Sequence, residues 1–143
     1  MDNIKQNIHF AFAVNKHNEF EKKHFGDSDK FVIYEWNGNE FTQSEGEINT
    51  FKDDHEDEHE HHHGDKKKGK QIIKLLKSKG VKVLVSKQFG RNIKMINQHF
   101  IPVITSDNNI EDVLRVLPKF IPRVMEDIKE QPENHKLIDL RKK

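Results

Sequence analysis

The segment from Ile8 to Val14 constrains the fold more than any other. Ile8, Phe10, Phe12 and Val14 alternate with His9, Ala11 and Ala13. Successive strand residues point to opposite faces, so the large residues share one face and the small ones the other. A strand apolar on both faces belongs at the centre of a sheet that is covered on both sides. Its alanine side suits a helix packed at close range.

The next segments build outward from that strand. Lys30 to Trp36 is again apolar on both faces through Phe31, Val32, Ile33 and Tyr34. Asn37-Gly38 follows, a strong hairpin signal between two apolar runs. Glu40 to about Thr50 is polar and carries Gly46, which fits an edge strand whose charges discourage edge-to-edge pairing. Beyond residue 70 the period changes. Ile72, Ile73, Leu75 and Leu76 predict one side of a helix over 71–79, with Gly80 as its C-terminal cap. Val81 to Val85 reads as a short buried strand. Phe89, Ile93, Ile96 and Phe100 predict a helix through 90–99. Ile101 to Thr105 is a further strand, with Pro102 near its start. Asn108 and Glu111 have capping-box spacing ahead of a helix faced by Ile110, Val113, Leu114 and Leu117, which Pro118 ends. The order β-β-β-α-β-α-β-α predicts a three-layer α/β domain, a hairpin followed by right-handed parallel crossovers.

Composition supports a packed core and narrows the chemistry. Leu, Ile, Val and Phe number 40 of 143 residues, well above the roughly 20% below which chains stay disordered. The net charge is +1, so a basic nucleic-acid-binding protein is not expected. There is no cysteine, which excludes disulfides, Cys-based zinc sites and thiolate-held iron–sulfur clusters. Any metal must be held by His, Asp, Glu, backbone or solvent, or arrive with inorganic ligands. No apolar run approaches the ~20 residues of a membrane span, and Met1 to Gln6 lacks a signal core. A cytoplasmic protein without membrane partners is the expectation.

Residues 52–66 interrupt the domain with a charged, low-complexity insertion. Asp53 to His63 holds five histidines (His55, His59, His61, His62 and His63) and six acidic residues. Flexible imidazoles bind nickel or zinc, although the spacing is not that of a fixed zinc site. A solvated loop with incidental metal affinity explains the tract equally well. The following Lys66-Lys67-Lys68-Gly69-Lys70 attracts anions, or simply delays the next helix, because cations oppose the dipole at a helix start.

Several motifs together resemble the nitrogenase iron–molybdenum cofactor biosynthesis and carrier family. They are His24-Phe25-Gly26, leading into Asp27 through Glu35; Lys79 to Val85; Gly90-Arg91-Asn92 with Ile93; and Ile101-Pro102-Val103. The resemblance spans roughly residues 8 to 117. It implies a ribonuclease H-like fold, a five-stranded mixed sheet of order 3-2-1-4-5 with strand two antiparallel. It divides the chain into a cofactor-carrier domain, 1–117, and a helical C-terminal extension, 118–143. In the extension Phe120, Ile121, Val124, Met125 and Ile128 recur at helical spacing and are expected to pack back on the domain. The sequence departs from the family pattern at Ile93, where an alanine is usual, and at Lys66–Lys70, where glycines are usual.

The resemblance also implies a function without catalysis: carriage of an iron–molybdenum cofactor or a related metal–sulfur cluster, in exchange with cofactor-assembly or acceptor proteins. His24 corresponds to the family's proposed ligand, flanked by Phe25 and Gly26, with Gly90, Arg91 and Asn92 in the second cofactor-side loop. Read without the resemblance, His24 serves a turn as readily as a metal. Asn15 and His17 lie in the same loop and read as solvent-exposed polar residues. His9 reads as a satisfied sheet residue. A two-metal nuclease on this fold needs carboxylates on the central strands, and Ile8 to Val14 has none. Two other readings stand beside the carrier: a His-rich buffer or sensor for nickel or zinc, and a protein-interaction module.

Overall fold

The computed structural model describes residues 7–21, 28, 30–49, 61–89, 93–130 and 133–142, the side chains of 45–49, 61–69 and 142 aside. Strand β1, Ile8–Val14, lies at the centre of a mixed sheet. β2 (Lys30–Trp36) pairs with it antiparallel, and β3 (Phe41–Asn49) pairs antiparallel with β2 to form one edge. On the other side β4 (Val81–Ser86) runs parallel to β1, and β5 (Ile101–Ile104) parallel to β4. Helix α1 spans His61–Ser78, α2 Ile93–Ile96, α3 Ile110–Val116 and α4 Ile121–Glu130. The expected mixed α/β topology is therefore present.

The two faces of β1 divide the core as their side-chain sizes require. Ile8, Phe10, Phe12 and Val14 pack with Val113, Leu117, Ile121 and Val124 of the α3–α4 layer. Ala11 and Ala13 pack with Ile72, Ile73 and Leu76 of α1, together with Phe89, Ile96 and Phe100. The alanines let α1 approach the sheet closely, while the phenylalanines fill the space beneath the α3–α4 layer. Phe12 meets Tyr34 at 5.4 Å edge-to-face and Phe20 at 6.2 Å between ring centroids.

The hairpin turn forms where Asn-Gly predicts it. Asn37 Oδ1 accepts from the backbone N–H of Asn39 and Glu40, at 2.8 and 2.9 Å. Gly38 takes φ of 101°, a conformation that a side chain would strain. Gly80 closes α1 with φ of 79°, its N–H donating to Lys77 O at 3.0 Å.

Five boundaries differ from the sequence expectation. The sheet has a sixth strand, β6 (Ile138–Asp139), parallel to β5, so the order is 3-2-1-4-5-6 and the extension is not purely helical. Two residues are too few to show alternation. α1 begins at His61 and not near 71, inside the expected 52–66 loop. The lysine run then falls beyond the first turn, where the dipole penalty has faded and lysine is a good helix former. The 90–99 helix is one turn, Ile93–Ile96. The cap of α3 is Asn109, whose Oδ1 accepts from Asp112 N at 3.1 Å. Asn108 is occupied elsewhere. Pro118 does not end the helical path: it sits in the first turn of a 3₁₀ segment, Leu117–Phe120, that leads directly into α4, where no N–H is needed.

The extension packs back on the domain, as expected. Ile121 and Val124 are buried in the α3–α4 face, and Ile138 and Leu140 join the same cluster. His135 ties the link to β6 in place. Its imidazole pairs with Asp127, and its N–H donates to Asn97 O at 2.7 Å.

Candidate functional site

β1, β4 and β5 are parallel, so their carboxyl ends share one edge of the sheet. In open α/β sheets the crevice outside these ends is the usual ligand position, because several loops converge there. Here three loops converge and are tied to one another. The loop after β1 meets the loop after β5 through Phe20 N–H donating to Asn108 O at 2.8 Å, and through a bridge between Glu19 and Asn109. The loop after β4 joins them through Lys87 Nζ, which donates to Asn108 Oδ1 at 2.6 Å. β4 and β5 are further linked by Thr105 N–H donating to Ser86 O at 3.1 Å. Asn108 therefore touches both neighbouring loops.

Two side chains shape the rim from beneath. Ser86 is buried, and its hydroxyl donates to Gln88 O at 2.9 Å. Thr105 is buried, and its Oγ1 accepts from Asp107 N at 3.0 Å. Each starts its loop at a defined angle. Asn15 does the same after β1, and here the structure corrects the sequence reading. Asn15 is only 8% exposed, not a solvated loop residue. Its Oδ1 accepts from His17 N and Glu19 N, at 2.8 and 3.0 Å. Its Nδ2 donates to Glu21 Oε2 at 2.7 Å. His17 is exposed, as expected.

His24, Phe25, Gly26, Gly90, Arg91, Asn92, His55 and His59 lie outside the described residues. The backbone of His61, His62 and His63 forms the start of α1. The chain on either side of the two motif segments is described, however. In sequence, residues 22–27 lie between Glu21, which follows the turn after β1, and Ser28, which precedes β2, and Val14 pairs with Lys30. Residues 90–92 follow Phe89, just past the end of β4. Glu21, Ser28 and Phe89, the described residues that border these segments, belong to the edge at which the three loops meet.

The opposite edge carries other histidines. His9 opens β1, where its Nδ1 would lie 3.8 Å from a Cβ placed on Gly80. His99 precedes β5 and its Nδ1 lies 3.2 Å from Lys77 Nζ. Burial, and then the Lys77 ammonium, push the His99 pKa below its ordinary value. A groove of about 330 Å³ lies between α4 and the segment leading to β6, with Arg123, Asp127, Glu130 and Lys136 among its walls. It carries both signs of charge. Among the described residues no three His, Asp or Glu side chains come together as a metal site, and no helix is long and apolar enough to cross a membrane.

A family model described as dinitrogenase iron-molybdenum cofactor matches residues 6–120, most of the chain. No curated protein matches it. The chain thus belongs to the dinitrogenase iron-molybdenum cofactor family. The match takes in β1 to α3 and stops before α4 and β6.

Proposed function

We propose that this member of the dinitrogenase iron-molybdenum cofactor family is a non-enzymatic carrier, holding a metal–sulfur cluster at the carboxyl ends of β1, β4 and β5. The cargo is the iron–molybdenum cofactor or a related anionic cluster. One observation supports the reading: the described residues that border His24-Phe25-Gly26 and Gly90-Arg91-Asn92 in sequence, Glu21, Ser28 and Phe89, belong to the loops at that edge.

The chemistry follows from what the chain contains. With no cysteine, the protein contributes few metal bonds, and the cluster's inorganic sulfide supplies the rest. His24 offers a neutral imidazole nitrogen. Gly26 and Gly90 admit a bulky cargo close to the backbone. Arg91 and Lys87 contribute positive charge for an anion. Sparse ligation keeps release possible, which a carrier needs in order to hand its cargo to an acceptor or assembly protein.

Backbone amide NMR during titration with tetrathiomolybdate, a soluble molybdenum–sulfur anion, tests the location. Shifts are expected at Asn15–Phe20, Ser86–Phe89 and Thr105–Asn109. Shifts confined to the opposite edge, around Gly80 and His99, would contradict the assignment.

A further inference from the structure

We infer that the outer face of the α1–α2 layer is a docking surface for an acidic protein, an inference independent of the carrier reading. The sequence sets the charge. After Asp65 no Asp or Glu occurs before Asp107, and residues 66–106 hold 11 Lys and Arg. The net charge of the chain is +1, so the remaining residues carry −10. The fold turns this segregation along the chain into one in space. Ile72, Ile73 and Leu76 of α1 and Ile96 of α2 share one core cluster, on the face of the sheet opposite to α3 and α4. Lys70, Lys74 and Lys77 recur at i, i+4 and i+7, which puts them on one stripe of α1. All three are exposed, as is Lys94 of α2. Lys77 Nζ lies 3.2 Å from His99 Nδ1, an imidazole contact that fixes the ammonium without neutralising its charge.

The α3–α4 layer provides the contrast. On α3 Arg115 pairs with Asp112 at 3.4 Å, and on α4 Arg123 and Lys129 are interspersed with Glu126 and Glu130. A solvated helix gains from opposite charges at i, i+4, whereas lysines at that spacing repel. The α1 stripe lacks that gain, and an acidic partner supplies the missing charges. The shape of the patch selects among anions. A nucleic acid or an anionic membrane extends beyond one helix face and meets the carboxylates of the rest of the chain, against a Debye length of only about 8 Å at physiological salt. Membrane attachment also draws on exposed apolar side chains. Among the described residues the large ones, Met125 and Leu137, lie on α4 and beside β6. A protein surface of matching size places its carboxylates only where the lysines are.

The test uses the full chain and the fluorescence anisotropy of a labelled peptide of alternating Glu and Ser, at low ionic strength, where screening is weakest. One variant combines Lys70→Glu, Lys74→Glu and Lys77→Glu. A second combines Arg115→Glu, Lys119→Glu and Lys129→Glu, an equal change of net charge on the other layer. Wild type is expected to bind the peptide, and the first variant to bind about tenfold more weakly or worse, the scale of three exposed ion pairs. The second variant should stay within about threefold of wild type. Lys70→Ala, Lys74→Ala and Lys77→Ala together favour the helix and should also weaken binding, which keeps the test open if the Glu variant unfolds. Equal weakening by both Glu variants overturns the docking surface, because net charge alone would then attract the peptide. Affinity of the Ala variant equal to that of wild type overturns it, as does wild-type protein that ignores the peptide. Tighter binding of duplex DNA or of phosphatidylglycerol vesicles, at equal probe charge, overturns the assignment to a protein. Salt-sensitive self-association of wild type in light scattering overturns it in favour of a second copy. None of these outcomes touches the carrier reading, which the tetrathiomolybdate titration tests separately.

Discussion

Replacing Phe12 by alanine tests the two-faced packing of β1 and its link to the rim. Phe12 is fully buried, and its ring contacts Phe10, Phe20 and Tyr34. Removing a buried Phe side chain costs about 3–5 kcal/mol, the transfer term plus the cavity left behind. The upper half of that range applies here. Collapse is hindered because β2 and β4 hold β1 by hydrogen bonds on both sides. A domain of this size loses roughly 3–4 °C of melting temperature per kcal/mol, so a fall of about 12–20 °C is expected. Total stabilities are only about 5–15 kcal/mol, so the variant should still fold but with little reserve. Urea unfolding followed by the fluorescence of Trp36, the single tryptophan, reads the change. Trp36 suits this use because it packs against Phe41 at 4.8 Å on the adjoining hairpin. The midpoint should fall with the slope nearly unchanged. A loss below about 1 kcal/mol would refute the packing, because it would place Phe12 in a site that closes freely or meets solvent.

Other outcomes follow from the edge histidine and the charged tract. The His99 imidazole should titrate below its ordinary value in NMR, and Lys77→Ala should raise it part of the way back, with burial holding the remainder. Because the folded value is depressed, the stability tied to His99 is present above pH 6.5 and is lost as pH falls through the folded value. His99→Gln should flatten that part of the stability profile. Deleting residues 53–63 should abolish nickel or zinc binding measured by calorimetry near pH 7, since five imidazoles are removed. Equal uptake by the deletion variant would remove the tract from metal binding.

The legibility of the chain depended on how locally each feature is encoded. The centre of the sheet was readable because Phe10 and Phe12 alternate with Ala11 and Ala13, and period 2 has one structural meaning. The Asn37-Gly38 turn was readable for the same reason: its conformation is set by two residues. β6 was not, because Ile138 and Asp139 form a strand only through the exposed edge of β5, a tertiary fact. The cap of α3 shifted by one residue because Asn108 is engaged by Phe20 and Lys87, both remote in sequence. His24 and Gly90-Arg91-Asn92 stand out in the sequence as motifs, whereas Asn15 looks like any polar loop residue. Asparagine directly after a buried strand, with Glu six positions on, was the available signal, and only the fold shows that they meet.

Cluster retention tests the proposal that His24 anchors a metal–sulfur cluster. Wild type, His24→Ala and the 53–63 deletion are loaded with iron–molybdenum cofactor under anaerobic conditions. Molybdenum and iron are then measured in the protein peak after gel filtration. Loss of a sole anchoring ligand should lower affinity about 10–100-fold or more. Metal is expected with the wild type and with the deletion variant, and little with His24→Ala, whose melting temperature should stay near that of the wild type. Metal retained by His24→Ala at the wild-type level would contradict it.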